Sequence, residues 1–527
     1  MKSKMKHTLA AVAVLAASAG HAQSIGAACG CPTVGARPTV NLSTLADVNG
    51  NLPVANTTLA CNTLYVLDKK IYVPDGGDLF IEPGTVIKCV DNSGINAHAL
   101  IVTRGGQIWA NGSESCPIIM TSVADPLDGS YAVTNRGKWG GLIILGRAFN
   151  NVRNTDLKDG GPAASTSITG TNGVGLIEGL AGGDSRHFYG MPIGSEVNND
   201  NSGILRHVSL RHGGELLGTA NEINGLTMGS VGSATIIEHI EVTSNLDDAF
   251  EFFGGSVNAK YLVAMHCDDD YIDWDQGYTG KIQFVYGLQG PDNSGGALNQ
   301  GDNGVELDGD DGPGNPAAKS DAHIWNATII ARGSSDEGIE AKLETKGSVN
   351  NSIFANFGRG INLSSNVATN WNGGTFNVKN CTFQGVTIGL RINAVAVPEV
   401  VGNADWDKFL ADGNAKIPAG SLIDATFAIS PLASNTVTDR ANPVPAAGAP
   451  AAATTLKPPT DGFYEGAQYR GAFEPGAEPW TPSYSVAATI GSDISAVAGC
   501  DGDLNSDGLV NATDFGLFVN AFNTTCY

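Results

Sequence analysis

Charge is scarce and one-sided in this chain: 16% of its 527 residues are Asp, Glu, Lys or Arg, and 30 basic side chains face 53 acidic ones, a net charge of -23. So acidic a chain repels phosphate backbones and anionic bilayers, which excludes nucleic acid as a partner and points to cations instead. Proline is sparse, at 23 residues, and 42% of the chain is hydrophobic, so neither a Pro-rich polymer nor a disordered tail describes it. Long apolar runs are missing: after residues 9–17 no stretch approaches the roughly 20 apolar residues of a membrane-spanning helix. No Gly-x-Ser-x-Gly elbow, His-Glu-x-x-His zinc site or phosphate loop ending in Gly-Lys-Ser/Thr occurs; serine-elbow, zincin and nucleotide-binding chemistries lose their usual signatures. Plentiful instead are glycine, with 69 residues, and Asn, Ser and Thr, the composition of turn-rich β structure.

The amino terminus reads as an export signal. Lys2, Lys4 and Lys6 precede the apolar run, and Gly20, His21, Ala22 and Gln23 form a small-residue cleavage site. Residues 1–22 are therefore expected to be removed, and the mature protein to be secreted or displayed at the cell surface. Nine cysteines follow: Cys29, Cys31, Cys61, Cys89, Cys116, Cys267, Cys381, Cys500 and Cys526. Export permits disulfides, an odd count leaves at least one thiol unpaired within the chain, and spacing alone does not assign the pairs.

The middle of the chain repeats. Residues 245–266 align with residues 267–288 at an offset of 22, placing Asp247 on Asp269, Asp248 on Asp270, Phe250 on Ile272, Glu251 on Asp273 and Gly255 on Gly277. A period in the low twenties, built of short β-rich runs with Gly and Asn at the corners, is one coil of a β-solenoid. The expected fold is all-β: a parallel β-helix over residues 65–430, preceded by a cysteine-containing cap at 23–64. A Pro/Ala-rich excursion and C-terminal cap follow at 431–490. Helix is expected only in a capping segment and at residues 512–522.

Several motifs strengthen this reading: Arg104-Gly105-Gly106-Gln107-Ile108, Trp139-Gly140-Gly141-Leu142-Ile143, Ile177-Glu178-Gly179, Asn224-Gly225-Leu226, residues 247–255, Asn303-Gly304-Val305-Glu306 and Tyr469-Arg470-Gly471-Ala472-Phe473. Together they resemble a largely uncharacterised family of exported bacterial right-handed parallel β-helix proteins. The resemblance implies fold and export, and no reaction.

At residues 498–527 a second unit stands out. Asp503, Asn505, Asp507, Gly508, Asn511 and Asp514 hold positions one, three, five, six, nine and twelve of a twelve-residue loop, with the Leu509 carbonyl at seven. This is the oxygen-ligand spacing of an EF-hand-type calcium site. Phe515, Phe518, Val519 and Phe522 then recur on one helical face, and Cys500 and Cys526 bracket the unit. The block resembles a type I dockerin half-repeat. Dockerins normally carry two such units and this chain carries one, so cohesin binding does not transfer with the resemblance.

On the solenoid, Asp247 and Asp248 should lie one rung, about 4.8 Å, from Asp269 and Asp270. Carboxylates stacked so closely repel, and a cation, a basic neighbour or a raised pKa must relieve them. Asp248, Asp270, Asp247 and Asp269 are the candidate catalytic residues, and Glu251, Asp273, Asp308 and Asp310 a candidate second metal site. Resemblance to polysaccharide lyases and hydrolases of this fold, several of which use paired aspartates on neighbouring rungs, implies an enzymatic reading. Arg206, Arg211, His207, His212, Lys260 and Lys281 are its basic candidates in sequence. The competing reading makes the acids turn caps or structural calcium ligands. Trp274, Tyr278 and Tyr286 are either a sugar-stacking platform or core. The expectation is thus a calcium-binding adhesion or scaffolding protein for extracellular polysaccharide or a surface protein, with a polysaccharide lyase or glycoside hydrolase as the alternative.

Overall fold

The computed structural model describes residues 25–153, 172–218, 221–290, 301–310, 318–332, 336–364, 366–423 and 441–486. The expected signal peptide and the loop formed by Asp503, Asn505, Asp507, Leu509, Asn511 and Asp514 lie outside these residues.

Short strands stack in parallel as a right-handed β-helix with two ladders. The first sheet runs from Ile71–Val73 through Leu100–Val102, Leu142–Leu145, Leu226–Gly229, Phe250–Phe253, Ile272–Asp275, Val305–Asp308, Glu337–Lys342 and Arg359–Leu363 to Ile388–Ile392. The second, of seventeen strands among the described residues, runs from Thr39–Asn41 to Ala415–Ile417 and so begins upstream of residue 65. The repeat read from the sequence is a true rung, because Phe250 pairs with Ile272 and Glu251 with Asp273. On the second sheet the offset becomes 23, Leu262 pairing with Val285, because the turn after Gly277 holds one more residue than its equivalent.

Alternation along each short strand builds the core. Leu226, Phe250, Ile272, Val305, Ile339, Ile361 and Leu390 point inward, each at most 1% exposed, and stack like on like. Each such side chain contributes roughly 1.5–3 kcal/mol by burial, but only because rungs above and below complete the enclosure. Trp274, Tyr278 and Tyr286 are wholly buried, the first two in the solenoid interior and Tyr286 under the segment of residues 441–486, and none belongs to a sugar platform.

The second sheet bends where one residue per rung adopts a left-handed conformation. His207, His239, Tyr261, Phe284 and Asn326 occupy that corner with φ between 49° and 61°. Such a conformation is costly for a bulky residue. It is offset by ring stacking along the row: His207 to His239 at 4.5 Å, His239 to Tyr261 at 4.4 Å and Tyr261 to Phe284 at 4.9 Å between centroids.

Residues 441–486 lie along the flank of the solenoid. Phe473, Val444 and Ala472 cover the outward apolar side chains Val263, Met265, Tyr286, Leu288, Ile330 and Ile353. At the far end of this strap, Tyr484 accepts a bond from Arg211 through its carbonyl and meets the His207 ring edge-on. Among the described residues the body is nearly helix-free, as expected, with two short helices: Val367–Gly373 and Ala404–Ala411, seven and eight residues long. Neither is long enough to show a sustained 3.6 period. The second closes the last rung, with Trp406 stacked on Phe409 at 4.6 Å and Phe409 packed on Phe383 at 5.8 Å. Cys29–Cys116 and Cys31–Cys61 are disulfides, while Cys89, Cys267 and Cys381 are buried thiols that act as small apolar core residues.

Candidate functional site

The outward positions of the first sheet form rows as regular as the inward ones. Thr227, Glu251, Asp273, Glu306, Glu340, Asn362 and Arg391 stand in register on seven consecutive rungs. Four of those seven are carboxylates, one rung apart. Asp275 and Asp308 project from the same strands two positions on from Asp273 and Glu306.

A second acidic row lies in the turn that leads into these strands. Asp248 Oδ1 accepts the Asp270 N–H at 2.8 Å, Asp270 Oδ1 accepts the Asn303 N–H, and Asn303 Oδ1 accepts the Glu337 N–H at 3.3 Å. Each side chain thus ties its rung to the next through a buried backbone donor. Asp247 and Asp269 precede this row and line the cavity beside it.

The two rows enclose a cavity of about 450 Å³. The insertion that follows the Leu142–Leu145 strand supplies Leu176 and Glu178 to its wall, and Glu222 joins from the next hairpin. Ten of the thirteen residues around it are acidic and none is basic; among them are Asp247, Asp248, Glu251, Asp269, Asp273, Glu306 and Asp308. Lys342 adjoins the cavity, paired with Glu306 and 3.8 Å from Asp308. Burial alone would lower its pKa, but Asp308 and Glu306 outweigh that and hold the ammonium above its usual range.

Burial, followed by mutual repulsion, pushes the carboxyls the other way. Asp269 rises to about 9, and Asp247, Glu251, Asp270 and Asp273 stand well above the carboxylate range. Asp248 rises to about 7, held back by its hydrogen bonds with Glu251 and the Asp270 amide. Glu340, one rung beyond, rises to about 7. Three overlapping triads bring ligand oxygens within 4.8 Å of one another: Asp247, Asp248 and Asp269; Asp248, Glu251 and Asp273; Asp270, Asp273 and Glu306. Glu251 Oε1 and Asp273 Oδ1 are buried with no hydrogen-bond partner. An unpaired buried carboxylate oxygen is expensive, and a hard cation with oxygen ligands is the group that would satisfy several at once. These clusters can hold a metal ion.

The structure gathers Asp247, Asp248, Asp269, Glu251, Asp273 and Asp308 around one cavity, and brings Asp270 to its edge in a triad with Asp273 and Glu306. It takes Asp310 elsewhere, into a buried ion pair with Lys319 at 2.9 Å. The basic candidates read from the sequence sit on the second sheet or its turns, away from the acids. Arg206 pairs with Glu238, Arg211 with Glu241, Lys260 with Glu465 and Lys281 with Asp461. His212 bonds the Asn135 carbonyl, and His207 stacks on His239. Glu340, Glu222 and Lys342 are absent from the sequence reading, Glu178 enters it only within a motif, and Glu306 opens the acidic stretch of residues 306–312 that the sequence offers as a further calcium-binding loop. A signal for three of them exists: Gly304-Val305-Glu306-Leu307-Asp308 aligns with Gly338-Ile339-Glu340-Ala341-Lys342, and again with Gly360-Ile361-Asn362-Leu363. Insertions push the first two of these rungs 34 residues apart and hide the repeat.

Three solved structures resemble the chain in fold. They are pectate lyase Pel9A (12% identity, 75% of this chain and 88% of that one, TM-score 0.35), the mannuronan C-5 epimerase AlgE4 A-module of Azotobacter vinelandii (11%, 76% and 91%, 0.24) and tailspike protein 2 of Escherichia coli O157:H7 bacteriophage CAB120 (12%, 70% and 44%, 0.20). No curated protein matches the chain. The family model described as "Pectate-lyase like beta helix domain" matches residues 50–417, which is most of the chain, and the protein belongs to that family.

Proposed function

We propose that this is an exported, calcium-dependent polysaccharide-binding protein whose ligand lies over the acidic cavity of the first sheet. The observation that carries the reading is the convergence of buried, unpaired carboxylate oxygens, those of Glu251 and Asp273, in a cavity with no basic residue in its wall. Calcium takes six to eight oxygens at 2.3–2.6 Å in flexible geometry, which suits rows of Asp and Glu on adjacent rungs. Glu251 and Asp273 would hold it, joined by the second oxygen of Asp248, with Asp270 bracing the turn behind them. A cation so placed also offers its outer coordination positions to the oxygens of an anionic sugar. The amino-terminal signal and the loop of Asp503, Asn505, Asp507, Leu509, Asn511 and Asp514 support the same setting, an extracellular medium in which calcium is abundant.

Lys342 favours a second reading, as a lyase or hydrolase of that polysaccharide. Paired with Glu306, it is held protonated; a cation among the carboxylates would lower its pKa and make the amine available to a proton at carbon. The decisive experiment is calorimetry of calcium-loaded and chelator-treated protein against a panel of uronate-containing and neutral polysaccharides, with products assayed for unsaturated uronates and reducing ends. Calcium-dependent binding without products supports the binding reading, and products that disappear in Lys342→Met support the enzyme. Equal binding with and without calcium contradicts the proposal.

A further inference from the structure

The insertion that walls the acidic cavity also borders a second concave space of about 540 Å³, at the amino-terminal end of the first sheet. Its lining is opposite in character. Arg104 and Arg147 project into it beside Thr103, with Phe188, Met191 and Val197 as an apolar wall. Arg186 reaches the same space but is engaged: it forks onto Asp184, at 2.6 Å for the closest pair, and lies over the Tyr72 ring at 3.5 Å.

Arg104 and Arg147 are differently placed. Arg104 donates to the Gly190 carbonyl at 2.9 Å and has no carboxylate partner among the described residues. Burial depresses its pKa, followed by the positive charge of Arg147, with the charge of Asp75 opposing them. Arg147 pairs at 2.7 Å with Asp75, whose side chain is 73% exposed and so holds the guanidinium only weakly. Backbone shape keeps these groups in place. Gly105 follows Arg104 at φ 84°, and a Cβ there would fall 2.0 Å from both Arg147 Nη2 and Asp75 Oδ1, so the guanidinium and its exposed partner, which also lines the space, rest directly on a residue that has no side chain. Two guanidiniums, one without an acidic partner, at the mouth of a half-apolar hollow form a site for an oxyanion carried on a ring with an apolar face.

We infer that Arg104 and Arg147 form a cation-independent subsite for an oxyanion group, carboxylate or sulfate ester, of an anionic saccharide. The saccharide half rests on the proposed function; the oxyanion half does not. Because the insertion separates the two cavities, one acidic chain can meet metal on one side of it and guanidinium on the other.

The test uses the full-length protein in excess chelator, which removes any contribution from a cation in the acidic cavity. Calorimetric titrations are run with a uronate trisaccharide, a sulfated trisaccharide, inorganic sulfate and a neutral trisaccharide. Binding by either charged trisaccharide, weakened about tenfold or more in Arg104→Gln and Arg147→Gln, is expected, and which one binds identifies the oxyanion. Arg147→Gln alters only a surface pair, so it keeps the test valid if Arg104→Gln folds poorly. Binding of inorganic sulfate with neither saccharide would overturn the saccharide assignment, and binding equal in the Arg variants, or absent with every probe, would overturn the subsite. If calcium-dependent glycan binding survives while this site fails, the proposed function stands alone; the opposite result removes the calcium reading and keeps the subsite.

Discussion

Asp248 and Asp273 carry the same charge on neighbouring rungs and have different work. Asp248 is tied to a backbone amide, so its replacement loosens a turn. Asp273 leaves one oxygen buried and unpaired, so its replacement removes a ligand. Asp273→Asn should weaken calcium binding at least roughly tenfold by calorimetry. In chelator at alkaline pH, where the raised carboxyls ionise, the same variant should melt higher than the wild type, because one of several repelling charges is gone. A lower melting temperature in chelator would show that Asp273 is held by something other than a cation.

The pH dependence has a defined sign. The carboxyls of Asp248 and Asp269 have folded pKa values of about 7 and about 9, above their unfolded value, so the native state binds more protons and loses stability as pH rises through those values. His207 and His212, depressed to about 4 chiefly by burial, act oppositely, losing stability as pH falls from about 6.5 to about 4. Above pH 6.5 only the carboxyl effect remains. Melting temperature in chelator should therefore fall between about pH 6.5 and 9, and saturating calcium should flatten the slope. A rising slope there in chelator contradicts the raised carboxyls.

At the scale of elements, the ladder depends on small residues where strands enter the first sheet. A Cβ at Gly360 would come within 2.6 Å of the Gly389 carbonyl and 2.9 Å of the Phe383 ring. Gly360→Val should cost about 1–3 kcal/mol, read from chemical denaturation, since backbone above and ring beside cannot both move. An unchanged denaturation midpoint would mean that the rungs separate more easily than this packing implies. The motif Gly-apolar-polar-apolar that recurs at residues 304, 338 and 360 records this constraint in the sequence. It escapes a search for a fixed period because the turns between rungs vary in length.

For the whole molecule, the strap of residues 441–486 decides whether the second sheet is sealed. Deleting everything from residue 441 should expose Val263, Met265, Tyr286, Leu288 and Ile330 as a continuous apolar stripe. Strong binding of a hydrophobic dye and self-association in sedimentation are the expected outcomes; a monomer that binds no dye would show the strap to be dispensable. The proposed calcium loop of residues 503–514 is a separate matter. Asp507→Ala should reduce the number of calcium ions bound by one without changing the melting of the β-helix, because that loop lies beyond the strap. A fall in β-helix melting would link the two units.

Much of this protein follows from local sequence. Period, alternation and corner residues specify a parallel β-helix, since each is a property of neighbouring residues, and the pairing of Glu251 with Asp273 is readable from a 22-residue offset. Membership of the cavity was decided by the tertiary structure alone. Glu178 and Glu222 arrive from insertions, Lys342 comes from a rung 34 residues beyond its neighbour, and Asp310 leaves for Lys319 although it lies two residues from Asp308. The basic residues nearest in sequence to the acids went to another sheet, because a residue only a few positions along a rung has already turned a corner. In a solenoid, rungs stacked about 4.8 Å apart determine which charges meet, and loop length determines how far apart in sequence those rungs lie.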